Sequence, residues 1–477
     1  MLRPDAWPRR GRSDREGDLS ARHPADSTDL TVDDLGPCFE GVVPAVVATA
    51  SADGVPNVTY LSRVQRVDSE RVALSNQFFS KTVRNLAENP RGSLLLIDHT
   101  TYEQYRLRIA FERTERRGPV FERLKADVDA LAALEGMEDV FKLRAADIYR
   151  VLSIERVATA RRHPEPEPGP PTAAPDPSVI AEMAARLSRS TDLDAVVSTA
   201  VTGLAELLGY ESAMLLLLDE EGRRLFTIAS RGFEAEGVGS EVVVGEGLIG
   251  MTAARCTPLR IGNLRQMSKY SRTVRRSFEG GGLIPERAIA VPGLPDVQSR
   301  LAVPAMALGQ LVGVVVVESR EVAAFTATDE AVLTVLASLI AASVEAERSR
   351  DRADEATAVT PAHAAPPPAS GPTTHVRFFE VDGSTFLDGD YLIKGVAGRL
   401  LWSLLGQHQR EGRVDFTNRE VRLDPSLDLP AFRDNFESRL ILLKRRLDER
   451  NAPIRIEKTG RGRFRIVVDG GIELDPA

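Results

Sequence analysis

The sequence predicts a multidomain α+β protein: a barrel of antiparallel strands, then a sheet flanked by helices, then a unit of strands and helices closed by a hairpin. Three observations carry this. The chain has 477 residues, well above the ~150 of an average domain. Two stretches rich in Pro and Ala, RRHPEPEPGPPTAAPDPS from Arg161 and RADEATAVTPAHAAPPPASGPTTH from Arg352, have the composition of extended spacers. The segments they separate differ in their order of strand-like and helix-like runs. The expected division is a tail over 1–30, units over 31–160, 178–350 and 376–477, and spacers over 161–177 and 351–375. The tail mixes Arg, Asp, Ser and Pro without a period. Such a segment buries too little apolar surface to offset its ordering entropy.

Composition narrows the function classes. With 61 Lys+Arg against 69 Asp+Glu, the formal net charge is -8, so the whole molecule is no generic polyanion binder and any nucleic-acid surface is local. The two cysteines, Cys38 and Cys256, have neither CxxC nor Cys/His spacing, which argues against a disulfide framework and a zinc site. No metal is expected, and the compartment indicated is reducing cytoplasm. Apolar runs such as Leu311 to Val317 are too short for a bilayer, and the Arg- and Asp-rich start lacks a signal-peptide core. No membrane association is expected. No self-similarity of 20 to 50 residues suggests a solenoid.

In the first unit, Ala45 to Ala50 and Asn57 to Val67 read as strands separated by Asp53-Gly54, a strong hairpin signal. Val72 to Ser75, Gly92 to Asp98 and Tyr105 to Thr114 continue the barrel pattern. Its clearest chemistry is SNQFFSKT, Ser75 to Thr82, leading from a strand into a helix that stops at Asn89-Pro90. Free N–H groups and the dipole at a helix start favour an anion, and Lys81 adds charge. The purely structural reading has Ser80 capping the helix and Lys81 solvated. The order PAVVATASADGVPNVTYLSRV, VALSNQFFSKTVRNLAENP, GSLLLID resembles the pyridoxamine 5′-phosphate oxidase-like, FMN-binding split barrel from about Leu35 to Val157. That resemblance implies that Ser80 and Lys81 hold the flavin phosphate. It also implies that Arg63, Val64, Gln65, Ser75 and Asn76 line the isoalloxazine and ribityl parts, and that the chain is a homodimer with the flavin at the subunit interface. The wider family takes FMN, a deazaflavin or haem. The later Arg and His substrate residues of true oxidases find no match here, so the catalytic residues stay unassigned. His99 and Tyr102 near a strand end read as surface loop.

The second unit is expected to open with one helix, Val179 to Leu208. Strands follow at Ser212 to Asp219, Leu225 to Arg231, Arg300 to Ala307 and Gln310 to Ser319, then a helix from Thr328. Its Val-rich strands suit a doubly covered sheet. The segments GEGLIG (Gly245 to Gly250), PLRI (Pro258 to Ile261), SRLAVP (Ser299 to Pro304) and LVGV (Leu311 to Val314) together resemble the GAF sensory domain. A small-molecule ligand of unknown identity is implied, with Asn263 to Gln298 as a candidate lid. Cys256 reads as an inert thiol rather than a redox switch.

In the last unit, Phe432, Phe436, Leu440, Leu443 and Leu447 recur every three or four residues, placing five apolar groups on one face of a helix spanning Leu429 to Arg450. A basic hairpin, Ile454 to Val468, follows. From Arg433 to Arg465 there are 11 Lys+Arg against 5 Asp+Glu, a local excess that suits a duplex. Two strands, three helices and this wing over Val376 to Val468 resemble the winged helix of OmpR-type regulators. The match implies DNA-facing roles for Asn435, Ser438, Arg439 and Arg445 on the helix, and for Lys458, Arg461 and Arg463 on the wing. Ile441 and Leu442, opposite the apolar stripe, point instead to docking of a protein or a partner subunit. The sequence therefore suggests a cytoplasmic regulator in which flavin-type and GAF modules bias a DNA-binding winged helix. A flavin-dependent oxidoreductase with regulatory domains and a non-catalytic scaffold are the rival readings.

Overall fold

The computed structural model describes residues 30–134, 142–157, 177–264, 289–355, 372–427 and 436–476, apart from positions 42, 62, 78, 79, 100, 220 and 290. In the first unit, seven antiparallel strands form one curled sheet. They are β1 (Ala45–Ala50), β2 (Pro56–Leu61), β3 (Val64–Arg66), β4 (Arg71–Asn76), β5 (Arg91–Ile97), β6 (Gln104–Glu115) and β7 (Ala145–Val157), in the order β2-β1-β5-β6-β7-β4-β3. Strand β1 alternates buried and half-buried residues, as a strand with one face on a core must. The Asp53-Gly54 turn closes its hairpin with β2, with Gly54 at φ +81°. The run expected to be a single strand from Asn57 to Val67 is divided between β2 and β3.

Two elements in this unit escape the sequence reading. Helix α2 (Pro119–Leu134) and the 13-residue strand β7 lie beyond the last expected strand, and β7 joins β6 to β4. Without β7 the sheet would end at β6. Helix α1 (Ser80–Glu88) begins at the expected place and is fastened to the barrel by side chains. Asn57 Nδ2 donates to Thr82 Oγ1 at 3.0 Å, and Asn85 Nδ2 donates to Thr49 Oγ1 at 3.1 Å.

In the second unit, the expected first helix is two helices, α3 (Pro177–Ser188) and α4 (Leu193–Leu208). The break has a local cause. Asp192 is extended and its carboxylate accepts the N–H of Ala195, which makes it an N-cap and starts a new helix. The sheet runs β10-β9-β8-β13-β12-β11, built from β8 (Ser212–Leu218), β9 (Arg224–Arg231), β10 (Glu241–Val243), β11 (Leu259–Ile261), β12 (Ser299–Ala307) and β13 (Gln310–Ser319). Val314 to Val317 in β13 are buried on both faces, because both faces are covered. On one side lie α3, α4 and α6 (Ala327–Glu355), and on the other lies α5 (Gly247–Arg255). A Cβ on Gly250 would sit 2.2 Å from the carbonyl oxygen of Val243, so only glycine lets α5 approach that backbone.

Over Ala327–Arg350, α6 is long and apolar enough to cross a membrane by length and composition. Leu333, Leu336, Ala337, Ile340, Ala341 and Val344 are instead packed at 0 to 1% exposure in the core. Its apolar character thus has a folding explanation.

The first two units meet through α2. Ala126 is buried in the same cluster as Leu248, Ile249 and Leu259 of the second unit. Beside it, Glu330 receives Arg123 at 2.7 Å and Arg260 at 3.3 Å, and Arg260 also pairs with Glu40. Arg255 and Lys125 both pair with Asp129.

The last unit has two small sheets. In one, β14 (Thr373–Phe379), β15 (Ser384–Leu387) and β16 (Asp390–Ile393) are joined by the last strand, β20 (Gly471–Pro476), parallel to β14. In the other, β17 (Asp415–Thr417) pairs with the hairpin β18 (Ile454–Gly460) and β19 (Arg463–Val468). Three helices lie between: α7 (Gly395–Glu411), α8 (Asn418–Arg422) and α9 (Phe436–Glu449). Helix α8 starts with a capping box, in which Thr417 and Glu420 satisfy each other's backbone N–H groups. The expected earlier start of α9, with Phe432, falls outside the described residues.

Candidate functional sites

In the barrel, β4 pairs with β3 and leads toward α1, so the implied cofactor residues lie on and beside β3, on the second half of β4 and in the first turn of α1. Ser75 and Arg63 are paired through their backbones: Ser75 N–H donates to the Arg63 carbonyl at 3.1 Å, and Ser75 Oγ accepts the Arg63 N–H at 3.1 Å. Val64 is buried opposite Leu74, and Gln65 stands opposite Ala73. Lys81 is exposed in the first turn of α1. Ser80 opens that helix.

Two of the implied residues are committed elsewhere. The Arg63 guanidinium donates to Asp127 of α2 at 2.9 Å and to the carbonyl of Glu40 at 2.8 Å. It passes over Gly41, where a Cβ would fall 1.6 Å from its terminal nitrogen. Asn76 Nδ2 donates to Asp147 at 2.8 Å, and the other oxygen of Asp147 accepts from Thr114 at 2.7 Å. Arg63 and Asn76 therefore hold the scaffold. Among the described residues, Lys81, the start of α1 and Gln65, whose buried Oε1 has no hydrogen-bond partner there, are groups that could meet a ligand.

His99 Nδ1 lies 3.1 Å from the carbonyl of Pro37, and Tyr102 is 60% exposed in the left-handed region, φ 57°. Both fit the surface-loop reading. Burial pushes the Cys38 thiol up to about 12, helped by the charges of Asp98 and Glu103. Cys256 caps the end of α5 with φ 49°, and partial burial raises its thiol too. Neither is a nucleophile poised near neutral pH. Most of the candidate lid, 265–288 and 290, lies outside the described residues. Among the described residues, no cluster of His, Cys, Asp and Glu is placed to hold a metal ion.

The second candidate is the basic face of the last unit, which the structure turns inward. Arg445 donates to Asp194 on α4 at 2.6 Å and to Ser198 Oγ at 2.6 Å, and Lys444 reaches the same carboxylate at 2.8 Å. Arg439 lies over the Phe226 ring, 4.2 Å from its centroid. Lys458 pairs with Asp192 at 3.2 Å and with Glu437 at 2.9 Å, and Arg461 pairs with Glu347 at 3.3 Å. Ser438 is fully buried and accepts from Arg348 of α6 at 3.4 Å. Burial works to raise the Asp194 carboxyl, but Arg445 and Lys444 outweigh it and hold the group below the usual carboxylate range.

In this conformation five of the residues to which the resemblance gives DNA-facing roles, Ser438, Arg439, Arg445, Lys458 and Arg461, contact the second unit or lie against it. Arg463 is exposed on the wing. Asn435 lies outside the described residues. Ile441 and Leu442 are each 3% exposed. Helical spacing puts them between Ser438 and Arg445 on the face toward α4, which explains apolar residues opposite the stripe. Sequence reasoning missed the acceptors Asp192 and Asp194, whose signal was an acidic first turn at a helix start.

Comparison with known proteins identifies two of the units. A family model for pyridoxamine 5′-phosphate oxidase matches residues 37–152, and one for the GAF domain matches residues 190–345. The chain thus carries a split-barrel domain of the first type followed by a GAF domain. An uncharacterized protein of Methanocaldococcus jannaschii is 42% identical over 50 residues, which make up 10% of this chain. The chain spans 34% of that relative. The GAF domain of an Acinetobacter phosphoenolpyruvate-protein phosphotransferase is similar at 23% identity and a TM-score of 0.30, over 36% of this chain and 93% of that one. An FMN-binding protein of Syntrophomonas wolfei is similar at 15% identity and a TM-score of 0.23, over 26% of this chain and 86% of that one.

Proposed function

We propose that the chain is a cytoplasmic, homodimeric, signal-responsive regulator. Its split barrel holds a flavin-type cofactor, FMN in the first instance, its GAF domain takes a small molecule, and its last unit is a winged helix that binds duplex DNA. The observation that carries a sensory over a catalytic reading is the commitment of the carboxylates around the barrel site. Asp127 is held by Arg63, and Asp147 by Asn76 and Thr114. General acid–base catalysis at a flavin would draw on an acid or base within hydrogen-bond reach of the reacting group, and these two are engaged in the scaffold.

The donor set suits FMN. Lys81 and the start of α1 would take the phosphate. The partnerless Oε1 of Gln65 is an acceptor of the kind an isoalloxazine N–H satisfies. The flavin would supply redox or light-absorbing chemistry when bound; the chain's residues bind and orient it. Edge strand β2 exposes Val58 and Tyr60 on one face, at 65% and 66%, an apolar strip that supports a second copy as its cover. Cys38 and Cys256 are both free thiols, in keeping with a reducing compartment. In the last unit the order of a strand sheet, three helices and a basic hairpin supports the winged-helix reading.

Titration with FMN, followed by absorbance and fluorescence, tests the cofactor. Lys81→Ala removes a charge-assisted contact of about 1.5 to 3 kcal/mol and should weaken FMN binding roughly tenfold to a hundredfold. Gln65→Leu separates binding from folding. It removes a buried unsatisfied acceptor, so the cofactor-free protein should gain about 1 kcal/mol in stability while FMN affinity falls. A protein that takes up no FMN in titration defeats the assignment, and a deazaflavin or haem spectrum replaces FMN with that group.

A further inference from the structure

We infer that the GAF face carrying Asp192, Asp194, Phe226 and Glu347 masks the basic face of the last unit, and that duplex DNA competes with the GAF domain for it. The inference rests on the reading of the last unit as DNA-binding, and it adds a regulatory contact which that reading does not contain. Its basis is one coincidence of residues. Four of the cations to which the resemblance gives DNA-facing roles, Arg439, Arg445, Lys458 and Arg461, are set by the fold against GAF carboxylates or an aromatic ring.

Asp194 takes both Lys444 and Arg445, Asp192 takes Lys458, and Glu347 takes Arg461. Arg439 lies over Phe226. A carboxylate offers a guanidinium the same paired anionic oxygens as a phosphate, so the GAF face presents an imitation of the polyanion. Occupancy is exclusive. Arg445, with its side chain 18% exposed, and Ser438, fully buried, cannot meet a duplex while α9 lies on α4. Much of the contact is nevertheless polar and wet at its edge. Lys444 and Lys458 keep 34% and 35% of their side-chain exposure, and Arg461 keeps 41%. This polar rim borders the buried Ile441 and Leu442, which belong to one apolar cluster with Leu204 and Phe226 of the GAF domain, so opening the contact frees charge at its edge and exposes apolar surface at its centre.

The consequence for affinity follows from populations. If α9 is docked in ninety-nine molecules of a hundred, the apparent DNA affinity of the full chain falls about a hundredfold from its open value. A ligand of the GAF domain or the barrel that favours the undocked arrangement restores it.

The test uses the full chain. Asp194→Lys sets a like charge against Lys444 and Arg445, and a triple variant, Asp194→Lys with Lys444→Glu and Arg445→Glu, restores attraction with the signs exchanged. Hydrogen exchange over 436–449 reads docking without reference to DNA. Fluorescence anisotropy with random-sequence duplexes at fixed salt reads binding. We expect Asp194→Lys to speed exchange in α9 and to tighten DNA binding by tenfold or more, and the triple variant to return exchange to the original rate. Unchanged exchange in Asp194→Lys overturns the masking contact whatever the DNA result. Faster exchange with no DNA binding by any variant overturns the DNA reading and with it the competition, and leaves the intramolecular contact standing. Circular dichroism of Asp194→Asn, which removes the charge at nearly constant volume, checks that the GAF fold is intact.

Discussion

Ile441→Lys is expected to undock α9 from the GAF domain, at a cost on the order of 3 to 5 kcal/mol to the docked state. Ile441 is 3% exposed and belongs to the cluster that runs from Leu204 and Phe226 of the GAF domain through Leu440 and Leu443 of the last unit. Two losses add at this position. Removing the branched side chain forfeits its packing, and the lysine ammonium meets Lys444 and Arg445, which already crowd Asp194. The chain has an escape, which is to separate the two units and let the lysine reach water. The cost is therefore bounded by the free energy of docking, whereas Leu443→Lys, on the stripe facing the unit's own core, has no escape and should unfold the unit. Differential scanning calorimetry should show Ile441→Lys splitting the transition shared by the GAF domain and the last unit. Asp448→Ala, exposed on the same helix, should stay within about 0.5 kcal/mol. An unaltered single transition in Ile441→Lys would show that the two units do not share a core. From sequence, docking of a separate protein or subunit is the alternative to DNA at this face; in the structure Ile441 shares its cluster with the chain's own GAF domain.

Ile441 also shows where sequence ceases to be informative. Periodicity identifies the face that a helix turns toward its own unit, because Phe436, Leu440, Leu443 and Leu447 must be buried for α9 to form at all. A second buried face appears only as an anomaly, since its cover lies in another unit, from Arg348 at 90 residues to Asp194 at about 250. The same limit applies to Asp194, which reads from sequence as an acidic first-turn residue and in the structure is the acceptor of two cations. Strands β8, β9, β12 and β13 were legible because each is a run of apolar residues bounded by polar turns. Strand β7 was not read, although Ile148, Tyr149, Val151 and Ile154 lie on it, because the charged residues among them break both simple patterns. At the barrel site the partners of the singled-out residues were not legible. Arg63 is held by Asp127 of α2, a helix that no pattern in the sequence announces.

Helix α2 also sets the second large effect, at the junction of barrel and GAF domain. Glu330→Ala is expected to cost about 2 to 4 kcal/mol, below the upper range for breaking a buried ion pair. Glu330 is 12% exposed at its side chain and takes Arg123 of α2 at 2.7 Å and Arg260 of β11 at 3.3 Å. Truncation leaves the two cations unequally placed. Arg260, 10% exposed, keeps Glu40 and the Phe325 carbonyl, while Arg123, 32% exposed, loses its ion pair, keeps the attraction of Asp127 and can turn partly toward solvent. Those remaining partners and that exposure place the effect below the full cost of a stranded buried charge. Because α2 carries both Arg123 and Asp127, the loss should travel further than the junction. Hydrogen exchange should quicken across 119–134, and the Arg63 to Asp127 contact at the candidate cofactor site should loosen with it. Glu330→Gln, which keeps an acceptor oxygen but no charge, should cost less than Glu330→Ala. Replacing Glu330 and Arg123 together with leucine should recover most of the stability, since an apolar pair of similar volume avoids desolvating two charges. If Glu330→Ala leaves exchange in 119–134 unchanged, Glu330 does not anchor α2, and the helix is held to the GAF domain by Ala126 with its apolar neighbours and by the Arg255 to Asp129 pair.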